Sequence, residues 1–205
     1  SSLKRPREIV ENNKQRSRMH LEFVVQIYHE QVEGGRFFLH EQPSHAGSWT
    51  EQCVQDLGEV SGVERVDSDQ CQYGQEVSYG RYKGSPIKKP TGWMSNAPEV
   101  LNQLRKRCHG QDGECSRARG GNHALCSGRV AREAAKYSAA LCKAIIRGMV
   151  KEMRRRGVIR DGEVGLHAVA DESAQEQETR DREAGCSGKY RDDVTGQLLR
   201  DSSVK

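Results

Sequence analysis

Long apolar runs are missing from this chain. No stretch approaches the ~20 consecutive apolar residues that a membrane span needs, and no signal peptide is visible, so no membrane partner is expected. A disulfide framework is missing too. The seven cysteines are an odd number, spread along the chain without the spacing of a secreted domain. That usage fits a reduced, intracellular setting, nuclear or cytoplasmic. Apolar residues are scarce overall: 34% of 205 residues are hydrophobic against 30% charged, and the mean hydropathy is -0.86. That balance supports a core smaller than the chain and a disordered remainder. No internal repeat is visible.

What is present is charge, unevenly placed. The formal net charge is +4. Residues 101–160 carry 15 Lys/Arg against 4 Asp/Glu, residues 161–205 carry 6 against 11, and residues 1–20 carry 6 against 2. A basic segment of this size points to a polyanionic partner, of which nucleic acid is the common one. A solvated helix face beside a neutralising acidic tail is the alternative.

Residues 1–19 read as a basic linker or a fraying helix start. From His20, Leu21, Val24, Val25, Tyr28 and Val32 fall on one helical face, and Gly34-Gly35 ends that helix. Phe37, Phe38, Leu39 and His40 read as a short buried strand with Glu41 at its end. Helix, glycine loop and buried strand together suggest half of a βαβ unit and a parallel sheet. Ser48 with Glu51 has the form of a capping box, opening a helix through Cys53, Val54 and Leu57. A second strand runs from Val63 to Asp69. Residues 70–85 are too polar for a core strand and read as a hairpin or mobile loop. Residues 92–96 read as a third strand, and Pro98 suits the first position of a helix. One amphipathic helix is expected from Ala131 to Arg156, its basic end facing the negative end of the helix dipole.

Several constellations could carry chemistry. Cys108, His109, Cys115, His123 and Cys126 place five thiol or imidazole groups within 19 residues, the soft donors that Zn²⁺ prefers. Because Cys108 and His109 are adjacent, the expected ligands are Cys108, Cys115, His123 and Cys126. The spacing lacks a C-x-x-C knuckle, so a polar loop with incidental Cys and His stays open. Cys53, Cys71 and Cys142 lie in apolar contexts and read as core residues. Glu41 and Asp69, at the ends of neighbouring parallel strands, could share a cleft that binds a base edge or a metal. The basic helix end, with Arg147, Lys151, Arg154, Arg155 and Arg156, could contact phosphates without regard to sequence.

An ordered set of motifs adds a resemblance. Phe38-Leu39-His40-Glu41-Gln42-Pro43, Ser48-Trp49, Asp69-Gln70-Cys71-Gln72-Tyr73-Gly74 and Lys88-Lys89-Pro90-Thr91-Gly92-Trp93-Met94-Ser95-Asn96 occur in that order. The set resembles a segment of copia-type retrotransposon polyproteins lying upstream of the reverse transcriptase. Tyr190-Arg191-Asp192-Asp193-Val194-Thr195-Gly196-Gln197-Leu198-Leu199 resembles the lead-in to that polymerase. The matches cover about residues 20–150 and 189–205. The same segment is similar to the second half of a cytosine-C5 DNA methyltransferase core. In that likeness Glu41 matches the glutamate that holds a flipped cytosine, while Lys89, Thr91 and Asn96 fall on a later Lys-Pro-Thr…Thr-Asn strand. Gln42, Pro43 and Ser95 depart from the pattern. No Pro-Cys nucleophile pair exists here, and a glycine-rich S-adenosylmethionine loop would have to lie before Ser1.

These readings give a set of expectations. Residues 20–157 form a partial, Rossmann-like (methyltransferase-like) three-layer α/β domain, and 158–205 a disordered linker towards a missing reverse transcriptase. The chain would be a non-catalytic, nucleic-acid-associated segment (DNA or RNA) of a longer polyprotein. One alternative is half of a methyltransferase-like enzyme whose nucleophile and cofactor site lie upstream. The other is a zinc-stabilised nucleic-acid-binding module.

Overall fold

Among residues 7–160, which a computed structural model of the chain describes, three strands and five α-helices form. They belong to one unit, Ser1–Asp161. The expected linker towards a polymerase lies outside the described residues, except for 158–160.

Helix α1 (Arg7–Glu33) is longer than the apolar periodicity implies. Every residue from Arg7 to His20 is exposed, and burial begins only at Leu21 and Val25. The first half therefore has no apolar stripe to betray it, and of the two readings of 1–19, linker or helix start, the chain is helix from Arg7 onward. Strand β1 (Leu39–Pro43) follows, then a single 3-10 turn, Gly47–Thr50, and helix α2 (Gln52–Gly58). The capping box does not form. Ser48 Oγ donates to Gln42 Oε1 at 3.1 Å, and Glu51, at the N-cap of α2, instead pairs with Arg18 at 2.9 Å.

Strands β2 (Glu64–Asp69) and β3 (Pro90–Ser95) complete a sheet of order β1-β3-β2. The expectation of a parallel sheet is corrected here, because β3 pairs antiparallel with both neighbours, Glu41 facing Trp93 and Val66 facing Trp93. The outer strands β1 and β2 do run in the same direction, joined through α2. The crossover logic of a βαβ unit is thus kept, with β3 inserted between its strands, a split βαβ arrangement. A strand that returns from a long excursion fills the gap in the opposite sense, and periodicity does not encode that choice. The insertion also separates Glu41 from Asp69 by a whole strand, so the shared carboxylate cleft does not exist.

Side-chain alternation along β3 feeds two cores, one on each face of the sheet. Met94 and Phe38 point towards Leu21 and Val25 of α1 and Val54 and Leu57 of α2. Trp93 and Val66 point the other way, towards Val100 and Leu101 of α3 (Pro98–Gln103) and Leu141 and Ala144 of α5 (Ala139–Arg155). Helices therefore cover both faces, and the three-layer mixed α/β architecture stands. The single helix expected over 131–156 is interrupted. Helix α4 (Gly128–Glu133) ends early, and Ser138 starts α5 by accepting from Leu141 N at 3.2 Å. The same hydroxyl donates to Tyr73 O, which ties the start of α5 to the turn after β2. No helix among the described residues is long and apolar enough to cross a membrane.

Candidate metal centre

The end of β2 runs straight into a 3-10 turn, Gln70–Tyr73, that buries Cys71 completely. Asp69, also buried, accepts from Cys108 N at 2.8 Å and pairs with Arg107 at 3.2 Å. Its own N–H donates to Lys106 O. This carboxylate therefore holds the start of the 108–127 loop against Cys71. The loop folds back on itself through an antiparallel bridge between Glu114 and Asn122, with Cys115 N donating to Gly121 O and His123 N to Gly113 O. That return lays Cys115 and His123 beside Cys108. Gly110 is required at the crossing, because a Cβ there would lie 2.0 Å from Glu114 O.

The result is a cluster of Cys71, Cys108, Cys115 and His123, whose donor atoms all lie within 4.8 Å of one another. The three cysteines are buried and His123 is half-buried. Cys108 Sγ is 3.8 Å from Cys115 Sγ and 3.6 Å from His123 Nε2. Tetrahedral zinc with Zn–S of about 2.3 Å and Zn–N of about 2.0–2.1 Å sets S···S at about 3.8 Å and S···N at about 3.6 Å. Those two separations are met already. Among the described residues no cysteine is in a disulfide, so the thiols are available as ligands.

Hydrogen-bond donors surround the sulfurs. Gln72 Nε2 reaches Cys71 Sγ at 3.7 Å and Cys115 Sγ at 3.6 Å, and Ser116 N donates to Cys108 Sγ at 3.5 Å. Burial alone would push the Cys108 thiol up. The N–H groups of Ser116 and Gly110, the Ser116 hydroxyl and Cys115 outweigh it and bring Cys108 down to about 6. Cys71 moves the opposite way, because it is buried and faces the Cys115 and Cys108 sulfurs. Thiolate at Cys108 beside crowded thiols is the electrostatic condition that a cation relieves. The four side chains could hold a metal ion.

The ligand set differs from the expected one at one position. Cys108, Cys115 and His123 come together, whereas Cys126 is exposed and outside the cluster. Cys71, taken from sequence as a core residue, occupies the fourth place. It precedes Cys108 by 37 residues, and no local spacing signals such a partner.

The other candidate residues disperse. Thr91 is buried, accepts from Gln70 Nε2 at 2.9 Å and donates to Lys89 O. Asn96 uses its side chain to bind Phe38 N at 3.1 Å and Arg36 O at 2.8 Å. Lys89 Nζ lies 3.8 Å from Glu41, and the Glu41 carboxylate also faces Tyr137. Burial, then the Glu41 charge, raises the Tyr137 phenol. Arg147 and Lys151 are exposed on α5, and Arg154 is half-buried there. Arg155 and Arg156 both turn inward to Glu152, whose side chain is fully buried. Arg156 also reaches Gly35 O and Asn96 O and covers the Phe37 ring at 4.1 Å. These two arginines brace the packing of α5 as well as adding charge.

No protein-family model, curated protein or solved structure matches this chain.

Proposed function

We propose that the chain is a non-catalytic nucleic-acid-binding module whose loop is held by a structural zinc ion, within a retrotransposon-type polyprotein. The observation that carries this is the Cys3His donor set, three of whose members, Cys108, Cys115 and His123, lie inside the basic segment 101–160. Four protein donors and no open position make a structural rather than a catalytic zinc site. From Arg105 to Arg132 the loop and its flanks carry seven Lys/Arg and two Asp/Glu. A metal that fixes such a loop pre-organises its cations for phosphate contacts. The retroelement part of the proposal rests on the ordered motifs from Phe38 to Asn96. The Rossmann-like ancestry they imply is supported by the β1–α2–β2 crossover alone.

The test is metal content together with binding to fluorescent DNA across a salt series. About one zinc per chain and an affinity falling steeply with salt are expected, and both are lost on chelation. A folded preparation without metal, or no binding at low salt, overturns the proposal.

Glu41 favours a second reading, a catalytic half that holds a base while an upstream segment supplies nucleophile and S-adenosylmethionine. The half-buried Glu41 carboxylate, with Lys89 and Tyr137 converging on it, is the supporting feature. Methyl transfer by the longer polyprotein, abolished by Glu41→Gln, would establish it; unchanged transfer would exclude it.

A further inference from the structure

Residues 76–86 form a hairpin beside the metal loop. It closes at an antiparallel bridge between Glu76 and Pro86, with Val77 N donating to Ser85 O at 3.0 Å and Gly84 N to Val77 O at 2.8 Å. Its base is anchored, since Val77 and Ile87 are buried against Ala134 with Ala124 and Val130 alongside. Its tip is a 3-10 turn, Gly80–Tyr82, that leaves Tyr82 59% exposed between the exposed side chains of Arg81 and Lys83. An aromatic ring standing in water at a buttressed tip contributes nothing to either core.

The metal loop is tied to this hairpin. Arg117 donates to Gly84 O at 2.7 Å and Gly120 O at 2.8 Å and pairs with Glu76 at 2.9 Å. Ala124 N donates to Pro86 O, and the Arg129 guanidinium lies 4.5 Å from the Tyr79 ring. Arg117 lies between Cys115 and His123, and Ala124 follows His123 directly. Two chain segments, 78–85 and 117–132, thus form one surface. Together they carry Arg81, Lys83, Arg117, Arg119, Arg129 and Arg132, and no Asp or Glu. The acids beside them are already engaged: Glu76 by Arg117 and Arg119, and Glu133 by Ser78 N.

We propose that this surface binds single-stranded nucleic acid, with an unstacked base lying on Tyr82 and the backbone following Lys83, Arg119 and Arg129. The inference rests on the nucleic-acid reading above and deepens it. A stacked duplex offers no base face to a ring at a hairpin tip, whereas a single strand offers one at every nucleotide. The surrounding cations supply the sequence-neutral phosphate contacts. Arg81, whose guanidinium is 5.8 Å from the Tyr82 ring, is placed to flank the same base.

The experiment measures affinity of the full 205-residue chain, zinc-loaded, for fluorescent oligothymidylate, oligouridylate and a duplex of equal length. The expected result is tighter binding to a single strand of either sugar type than to the duplex. Tyr82→Ala lowers single-strand affinity about tenfold, and Tyr82→Trp preserves it. Replacing Arg119 and Arg129 with Gln flattens the salt dependence for every oligonucleotide, by about 0.7 in log–log slope per lost phosphate contact on a single strand and about 0.9 on the duplex. A circular dichroism spectrum and zinc content equal to those of the unaltered chain establish that each variant is folded. Binding that survives Tyr82→Ala unchanged, or that favours the duplex, overturns the single-strand inference while leaving the broader reading intact. No binding to any oligonucleotide defeats both.

Discussion

Replacing Cys71 with Ser tests the metal centre most directly, because it separates the ligand set assembled by the fold from the one suggested by spacing. Serine keeps the size of the side chain but exchanges a soft thiolate for a hydroxyl that zinc binds poorly. Structural zinc contributes about 10–16 kcal/mol of apparent binding free energy in small zinc domains at neutral pH. Shared among four donors, that is roughly 2.5–4 kcal/mol each, or about 10²–10³ in affinity. At a free zinc concentration ~100 times the original dissociation constant, the metal stabilises the fold by about 2.7 kcal/mol. A hundredfold weaker variant retains only about 0.4 kcal/mol of that. The loss of about 2 kcal/mol lowers Tm by roughly 4–8 °C for a domain of this size. The assays are a competition titration against a chelator of known affinity and a thermal melt at fixed free zinc. Cys126→Ser, altering an exposed cysteine outside the cluster, should leave both readouts unchanged. Equal losses from the two variants, or none from Cys71→Ser, would refute the assignment.

Two further predictions concern the layer formed by α3 and α5. A methyl group at Gly148 would lie 2.5 Å from Val100 Cα and 3.0 Å from Glu99 O, so Gly148→Ala forces the helices apart by about 1 Å. Overpacking of that kind costs about 1–3 kcal/mol against a helix-propensity gain near 1 kcal/mol. The urea midpoint should fall with an unchanged m-value; a midpoint at or above that of the unaltered protein would show that the contact yields freely. At Glu152, burial by itself would raise the carboxyl, but Arg155, the Glu99 N–H and Arg156 together hold it below its ordinary value of 4.5. Its stabilising effect is thus complete above about pH 4.5 and is lost as pH falls through the lowered folded value. Glu152→Gln removes that contribution at neutral pH and flattens the acid side of the stability profile. Identical pH slopes for the two proteins would exclude Glu152 as a source of acid sensitivity.

Local pattern determined much of the architecture on its own. The apolar spacing from Leu21 to Val32, the glycine pair that ends α1, the presence of three short strands and Pro98 at the start of α3 were all legible, although the first strand runs Leu39–Pro43 rather than over 37–40, which puts Glu41 in mid-strand and not at its end. Each depends on residues within one or two turns of one another. The first half of α1 was not legible, because a helix with no buried face leaves no apolar period. Ser138 was not recognised as a cap, because alanines on both sides continued the helical pattern across it. Tertiary structure alone decided the rest. The antiparallel entry of β3 depends on where a distant strand finds an open edge, and it placed Glu41 and Asp69 on opposite sides of the sheet. The inward turn of Arg155 and Arg156 depends on Glu152 and the N–H of Glu99 in another helix. Cys71 becomes a candidate ligand only because buried Asp69 holds Cys108 beside it across 37 residues of chain. Short-range periodicity records which face a side chain takes. Which distant side chains share a site is set by packing and by the need to satisfy buried polar groups, and those act through space.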